Sequence, residues 1–294
     1  MGQERIVPSL ILKSMRPSQW VKNLVVFAGL VFSQNLFVAG DLVKSCIAFC
    51  VFCLVTGAVY TFNDIIDREA DSRHPWKRLR PVASGQLAVG VASSAAAVCC
   101  GAALAIAFAL HTGLGLLVCG YVVLNLCYSL WLKRVPIVDL FPIPIGFVIR
   151  AAAGGEVLDV TISSWLIVCT FFLALFLAIG KRRGELMTQR ANAESLRDPL
   201  KYYTLQLLDH MITVVATATL ISYALYTASA DVQAKLGTQH LFFTIPFVIY
   251  GIFRYMYLVH GKGSGECPTR ALLTDRALQV DVVLWGIAVV IILY

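Results

Sequence analysis

The sequence predicts an all-α polytopic membrane protein with nine transmembrane helices and a polar cap on its cytoplasmic side. The 294 residues are 59% hydrophobic and only 14% charged, and their mean hydropathy is +0.77. A soluble domain is about a quarter charged, so the composition is that of a chain built for lipid. The apolar residues form long runs, and most Lys and Arg residues lie in alternate connections. We expect one transmembrane domain over residues 1–294.

Nine apolar runs are long enough to cross a bilayer, which takes about 20 residues of helix. Their continuous apolar character favours helices over the strands of a membrane barrel, which alternate in polarity. The predicted spans cover residues 20–38, 42–62, 91–111, 113–131, 135–154, 162–180, 206–228, 240–260 and 277–294.

The basic residues predict the orientation of these spans. The N-terminus and alternate loops hold 21 of the 24 Lys and Arg, and the opposite face keeps only Lys44, Arg150 and Lys235. Cytoplasmic loops carry an excess of Lys and Arg, so we expect a cytoplasmic N-terminus and a multi-pass location in the plasma or inner membrane. Long polar loops also belong to this face, and they make its cytoplasmic end the expected site of any chemistry. They cover residues 63–89, 181–205 and 261–276.

The stretch NDIIDREADSRHPWKRLRPVASG, at residues 63–85, gathers four carboxylates and five basic residues. If the second span continues into it as a helix, Asn63, Asp64, Asp67 and Asp71 fall within about 100° of one helix face. Carboxylates crowded together repel one another, and Mg²⁺, which prefers a few carboxylates plus substrate phosphates, removes that cost. A solvated loop balanced by its own arginines is the simpler alternative. The pattern N-D-x-x-D-x-x-x-D at the end of a membrane span favours a site for a metal-bound diphosphate.

Basic residues follow the carboxylates closely, as Lys77, Arg78 and Arg80. Pro75 and Pro81 disfavour continued helix, so the chain is expected to turn and to bring these cations back over the acidic helix. Fixed cations and a metal ion together make a site for a diphosphate. The general preference for basic cytoplasmic loops explains positive charge here, but it does not explain charge placed so near the carboxylates.

This stretch resembles the first aspartate-rich motif of the UbiA superfamily of intramembrane prenyltransferases, and the helix count and the long loop after the second span are also similar. The resemblance implies Mg²⁺, with Mn²⁺ as an alternative, bound by Asn63, Asp67 and Asp71. It implies a catalytic part for Asp64, Asp67 and Asp71 in the departure of a diphosphate.

The second half of the chain departs from the common pattern of that superfamily. A typical member has another D-x-x-x-D after the sixth span, where this chain reads GKRRGELMTQRANAESLRDPLKYYT. The loop offers Lys181, Arg182 and Arg183 with one early carboxylate, Glu185, so a second metal ion is in doubt. Fixed cations keep affinity for anions without a second ion, and they suit a substrate that carries a phosphate in addition to its diphosphate.

This departure is similar to one branch of the family, which transfers 5-phosphoribosyl from phosphoribosyl diphosphate (PRPP) to a polyprenyl phosphate such as decaprenyl phosphate. That reaction releases diphosphate and serves the synthesis of cell-wall arabinan precursors. The similarity covers most of the chain, through RPSQWVKN, HPWKRLRP, LKRVPIVD, GFVIRAAAGG, FFLALFLAIGKRRGEL and YGIFRYMYLV.

Polar residues in or beside the spans extend the candidate site. Lys22 and Asn23 lie inside the first predicted span and Asp139 inside the fifth, where polar groups are costly and are often functional. Lys133 either binds substrate or orients its helix hairpin, and Arg150 is expected to be structural. The predicted substrate-binding residues are Lys22, Asn23, Lys77, Arg78, Arg80, Lys133, Asp139, Lys181, Arg182 and Glu185.

Two other functions stay open. Prenyl transfer from a prenyl diphosphate to an aromatic or other acceptor is the commoner chemistry of the superfamily, but it would use the second acidic motif that this chain lacks. A transporter or channel would hold its polar residues near the bilayer midplane, whereas here they gather at one face. The expected partners are PRPP, a polyprenyl phosphate and the membrane. No nucleic acid is expected, and a homo-oligomer is left open.

Overall fold

The computed structural model describes residues 6–73, 76–191, 200–261 and 268–294. Helices and their connections make up this part of the chain, and no β-strand occurs in it. The α-helices are α1 (Ile6–Ser14), α2 (Ala28–Phe32), α3 (Ala39–Ile66), α4 (Arg68–Ser72), α5 (Val89–Leu110), α6 (Thr112–Leu130), α7 (Pro142–Glu156), α8 (Ser164–Ala191), α9 (Leu205–Ala228), α10 (Ala230–Leu236), α11 (Ile245–Gly261), α12 (Pro268–Thr274) and α13 (Arg276–Leu293). Short 3₁₀-helices lie at Pro17–Phe27, Lys77–Leu79, Leu132–Arg134, Val138–Leu140, Leu200–Tyr202 and His240–Thr244.

Eight segments of the described chain are long and apolar enough to cross a membrane. Each agrees with a predicted span to within a few residues, except that the sixth span continues as helix to the end of α8. Large apolar side chains such as Val98, Leu116 and Ile291 face outward on these helices, as lipid contact requires. The chain is therefore an integral membrane protein. The eight segments are Ala39–Ile66, Val89–Leu110, Thr112–Leu130, Val138–Glu156, Ser164–Gln189, Leu205–Ala228, His240–Gly261 and Arg276–Leu293.

The first predicted span, residues 20–38, is not the continuous α-helix expected from its composition. It consists of the 3₁₀-helix Pro17–Phe27 followed by α2. A 3₁₀-helix rises about 2.0 Å per residue and an α-helix about 1.5 Å, so the two together reach about 30 Å, the thickness of the hydrocarbon core. The described residues thus give eight spans by helix length, and a ninth crossing by this segment stays a prediction.

This first segment packs against α7 at a distance that only glycine permits. A Cβ atom on Gly154 would lie 1.9 Å from the carbonyl oxygen of Val26, and one on Gly29 would lie 2.4 Å from the carbonyl oxygen of Gly154. Small residues let backbones approach in this way inside membranes, where packing rather than the hydrophobic effect holds helices together.

The two largest apolar clusters of the described residues lie in the two halves of the bundle. The first lies among α3, α5, α6 and α7 and includes the buried side chains of Phe52 and Leu114, and the second lies among α8, α9 and α11 and includes Phe176 and Leu208. The halves meet where α7 packs on α8. Most predicted site residues lie at the end of α3, in α4 and the loop after it, in the two 3₁₀-helices between α6 and α7, and in the C-terminal part of α8. These segments come together at one end of the bundle.

Candidate active site

The predicted metal ligands follow the end of α3 into α4. The helix ends at Ile66, but the amide of Asp67 still bonds to the carbonyl of Asn63 at 2.9 Å, and that of Asp71 bonds to the carbonyl of Asp67 at 2.8 Å. These two bonds keep the four-residue period across the helix end. Asn63, Asp67 and Asp71 are therefore each one backbone turn apart, although the helix is interrupted between them.

Arginines neutralise the two most buried carboxylates of this cluster. Asp64 and Asp71 are each 1% exposed. Arg80 pairs with both, at 3.1 Å to Oδ1 of Asp64 and by a shorter contact to Asp71, and Arg16 also donates to Asp64. Arg80 thus folds back over the acidic helix as predicted, and its position ties the loop after α4 to the helix end.

Arg16 also belongs to this cluster, although it is not among the site residues predicted from the sequence. It lies directly before the 3₁₀-helix Pro17–Phe27 with a φ of 53°, and its guanidinium carbon stands 5.0 Å from the centre of the Tyr60 ring. A non-glycine residue in this left-handed region is uncommon. This backbone turn directs the side chain to Asp64, 48 positions later in the sequence, so no local pattern could have paired the two residues.

The end of α6 and the 3₁₀-helix after it supply partners for the remaining two residues of the acidic face. Nζ of Lys133 lies 2.7 Å from Oδ1 of Asp67, and the hydroxyl of Ser129 donates to Oδ1 of Asn63. Asp67 is the more accessible carboxylate, with a third of its side chain exposed. Lys133 therefore lies at the acidic face. No sequence pattern predicts the contact between Ser129 and Asn63.

The second half of the site is a network around Arg182, whose side chain is about nine-tenths buried. Its Nε lies 2.8 Å from Oδ2 of Asp139, Nη1 donates to Glu185 at 2.7 Å, and Nη2 donates to the hydroxyl of Tyr128 at 3.1 Å. Lys181 pairs with Glu185 at 3.4 Å across one helical turn, an i, i+4 pair.

The two halves of the site approach each other at Glu185. This carboxylate is held by Lys181 and Arg182 from its own helix, and the charge of Lys77, from the loop after α4, also acts on it. The loop that follows α4 and the C-terminal part of α8 are thus neighbours in space, although more than one hundred residues separate Lys77 from Glu185 in the chain.

Arg183 is a correction to the predicted cation group. It is buried and turns away from the site toward α9 and α11, where Nε contacts Oδ1 of Asp209 and Nη1 donates to the carbonyl of Val259 at 2.9 Å. Adjacent helical residues point about 100° apart, so Arg182 and Arg183 cannot both face the cleft. His260 completes this second cluster with Nε2 at 3.1 Å from Asp209.

Asn23 lies apart from the acidic face. It has no exposed surface, and its Oδ1 accepts a 2.7 Å bond from Nε of Arg150, whose guanidinium also donates to the hydroxyl of Tyr121 at 2.8 Å. These bonds satisfy a charge buried among membrane helices, which would otherwise be very costly. They give Asn23 and Arg150 a structural part, and contact of Asn23 with substrate stays a prediction.

Two further residues predicted to bind substrate differ in their exposure. Lys22 is partly buried, and Arg78 is exposed.

The assembled side chains carry more positive than negative charge. Seven cations face five carboxylates, so a polyanion is electrostatically favoured at this end of the bundle. The cations are Arg16, Lys77, Arg78, Arg80, Lys133, Lys181 and Arg182, and the carboxylates are Asp64, Asp67, Asp71, Asp139 and Glu185.

Solved structures share this fold. A UbiA homologue from Archaeoglobus fulgidus with bound GPP and Mg²⁺ superposes with a TM-score of 0.70 at 17% identity, over 96% of this chain and 99% of that one. A structure of digeranylgeranylglyceryl phosphate synthase superposes with a TM-score of 0.65 at 16% identity, over 99% of both chains.

Curated relatives are similar over nearly the whole length. The chain is 34% identical over 295 residues to the decaprenyl-phosphate phosphoribosyltransferase of Mycolicibacterium smegmatis. The matched region covers 97% of this chain and 92% of that protein. It is 35% identical over 279 residues to the protein of the same name in Mycobacterium tuberculosis, over 94% and 91% of the two. The profile of the UbiA prenyltransferase family matches residues 23–276. With the helical bundle and its acidic helix end, this match shows that the chain belongs to the UbiA prenyltransferase family.

Proposed function

We propose that this protein transfers 5-phosphoribosyl from PRPP to a polyprenyl phosphate, such as decaprenyl phosphate, and releases diphosphate. The observation that carries the proposal is the pairing of one acidic face with one cationic face. PRPP bears a diphosphate and a separate 5-phosphate, so it needs two anion sites at a fixed separation. The relatives that are about a third identical over nearly the whole chain are named for phosphoribosyl transfer and decaprenyl phosphate, which supports the proposal. A role in cell-wall arabinan precursor synthesis is part of the same proposal and rests on the resemblance of the sequence.

The acidic face carries oxygen donors of the kind that Mg²⁺ prefers, with Asp67 accessible and Asp71 buried against Arg80. Asn63, Asp67 and Asp71 offer an amide and two carboxylate oxygens in a four-residue period. Within the described ranges no three His, Cys, Asp or Glu side chains are grouped for a metal. A bound ion would therefore take its remaining ligands from the Asn63 amide and from substrate phosphates, and Mg²⁺ commonly binds substrate phosphates in this way. When bound there, Mg²⁺, or Mn²⁺ in its place, would neutralise the charge that builds on a departing diphosphate.

The basic residues divide into those that bind phosphate and those that position other groups. Lys77 and Lys181 flank Glu185 and are proposed to hold phosphate oxygens, with exposed Arg78 beside them. Arg182 already has three protein partners, so its proposed part is to orient Glu185 and the α8 end. Lys133, next to Asp67, would approach the diphosphate from the other side.

In the proposed reaction a phosphate oxygen of the lipid attacks the anomeric carbon of the ribose. The bond from that carbon to the diphosphate oxygen breaks, the electron pair leaves with the diphosphate, and an in-line displacement inverts the configuration. The attacking phosphate is already anionic, so no general base is required. Catalysis then comes from placing the two substrates together and from fixed positive charge around the leaving group.

The arrangement of the bundle suits a water-soluble donor and a lipid acceptor. The site lies at the end of the helices that carries most of the Lys and Arg, and the positive-inside tendency puts this end in the cytoplasm. The exposed apolar helices would leave the prenyl chain in contact with lipid while its phosphate reaches the polar cap. We therefore propose a plasma-membrane location with the active site on the cytoplasmic side.

Prenyl transfer from a prenyl diphosphate is the second candidate function. The likeness to a homologue solved with GPP and Mg²⁺ favours this function. The network around Arg182 is evidence against it, because the network occupies the position at which a typical member has its second acidic motif. The test is the release of diphosphate from PRPP by purified protein with Mg²⁺, with and without a polyprenyl phosphate. Release that requires the lipid supports the proposal. Release from a prenyl diphosphate, but not from PRPP, supports the second candidate.

A further inference from the structure

A strained turn lies between the two halves of the site. Ile137 has a φ of 70° and a ψ of −48°, a region that a β-branched residue almost never adopts. Such strain persists only where neighbouring contacts hold it, and it is concentrated at functional sites. The turn separates the 3₁₀-helix Leu132–Arg134 from the 3₁₀-helix Val138–Leu140.

The hydroxyl of Tyr203 holds this turn with two hydrogen bonds. The amide of Ile137 donates to it at 2.7 Å, and it donates to Oδ1 of Asp139 at 2.7 Å. Tyr203 is 2% exposed and Asp139 has no exposed surface, so both bonds are shielded from water. Burial and the bond to Asp139 raise the pKa of Tyr203, and the hydroxyl therefore keeps its proton well above neutral pH.

The turn connects one contact in each half of the site. Four residues before Ile137, Lys133 pairs with Asp67 at 2.7 Å. Two residues after it, Asp139 pairs with Arg182 at 2.8 Å. The conformation of Ile137 therefore sets the distance between the acidic face at the end of α3 and the cationic network at the end of α8.

We propose that Tyr203 is a positioning residue that fixes the separation of the two anion sites by holding the Ile137 turn. It does not touch substrate in this account. The inference rests on the proposed function for the identity of the ligand, which carries two phosphate groups at a fixed distance. A ligand that bridges two sites loses affinity when their separation is wrong, whereas a fragment that fills only one site does not.

The variant that tests this proposal is Tyr203→Phe, which removes the hydroxyl and keeps the ring. We expect its dissociation constant for PRPP to rise about tenfold or more, while those for Mg²⁺-diphosphate and for ribose 5-phosphate stay within about twofold of wild type. Calorimetric titration of the purified protein measures all three. Tyr223→Phe, which removes a buried hydroxyl bonded to Thr244 and Trp285 in a different apolar cluster, is the matched control and should leave all three unchanged.

The outcomes separate the inference from the function on which it rests. Equal loss of affinity for PRPP and for both fragments, or no loss for any ligand, overturns the positioning role. A wild-type protein that binds neither PRPP nor its fragments overturns the proposed function instead. Should Tyr203→Phe not fold, Asp139→Asn tests the same connection, since it keeps the volume and weakens the pair with Arg182. Its affinity for the fragments should again be retained and that for PRPP lost.

Discussion

Nε of Arg182 lies 2.8 Å from Oδ2 of Asp139, a carboxylate with no exposed surface. The pair joins the C-terminal part of α8 to the 3₁₀-helix Val138–Leu140, which precedes α7. Tyr203 continues it on one side and Glu185 on the other. A side chain predicted to clamp phosphate is thereby a fixed part of the protein. The buried pair has direct consequences for stability and for the division of roles among the cations.

Removal of Arg182 alone should destabilise the protein strongly. Arg182→Gln leaves Asp139 buried without its cation, and breaking a buried pair in this way costs about 3–5 kcal/mol. We expect a clear fall in the midpoint of thermal unfolding in detergent. The double variant Arg182→Gln with Asp139→Asn removes both charges and should recover part of that loss. A single variant as stable as wild type would contradict the structural role of Arg182.

Lys181 should act on the donor rather than on the lipid. Its side chain is partly exposed beside Glu185, where it can reach a phosphate. Lys181→Ala is expected to raise the KM for PRPP about tenfold or more, equivalent to about 1.4 kcal/mol, with a much smaller change for the polyprenyl phosphate. Steady-state kinetics with each substrate varied in turn measures both values. The control is Lys44→Ala, which changes a lysine near the start of α3, at the other end of that helix from the acidic residues, and should leave both KM values unchanged. A selective loss of lipid affinity would mean that the two pockets are exchanged.

Asp67 should be essential for turnover but not for folding. It is the accessible carboxylate of the acidic face, and its replacement by Ala removes a ligand of the proposed metal site. Activity should fall by at least about 100-fold, which is the usual cost of removing a group that stabilises developing charge. The protein should still purify as a folded species. The exposed Glu69, two residues later on α4, supplies the control variant Glu69→Ala. Wild-type activity of Asp67→Ala at saturating Mg²⁺ would remove the metal assignment.

Removal of divalent metal should stop the reaction reversibly. The acidic face gathers oxygen donors suited to Mg²⁺, so excess EDTA is expected to abolish turnover, and added Mg²⁺ or Mn²⁺ should restore it. The measurement is product formation before chelation, after chelation and after metal is added back. Turnover that resists EDTA would point to a site that works with fixed cations alone.

The parts of the site that the sequence predicted are those governed by a local period. The spacing of Asn63, Asp67 and Asp71 gives a four-residue period, and the backbone bonds of the structure keep that period even though α3 ends at Ile66. Lys181 and Glu185 lie one turn apart and pair in the structure. The eight long spans were likewise evident, because an apolar run of about 20 residues has few alternatives in a membrane.

The parts that the sequence did not predict depend on contacts between distant residues. Arg16 reaches Asp64, and Tyr203 reaches Ile137 and Asp139, through backbone turns that have no local signature. The buried direction of Arg183 follows from the rotation of α8 about its own axis, which a basic run does not reveal. The close packing of the 3₁₀-helix Pro17–Phe27 against Gly154 of α7 is likewise a contact between distant residues.

The central claim is that the donor is PRPP and the acceptor a polyprenyl phosphate. The most direct measurement incubates purified protein and Mg²⁺ with ribose-labelled PRPP and a polyprenyl phosphate, and in parallel with a labelled prenyl diphosphate and an aromatic acceptor. Our account predicts that label from PRPP appears in the lipid fraction, one ribose for each diphosphate released, with none transferred in the parallel reaction. Label that stays in the aqueous phase in the first reaction, with prenyl transfer in the second, would contradict it.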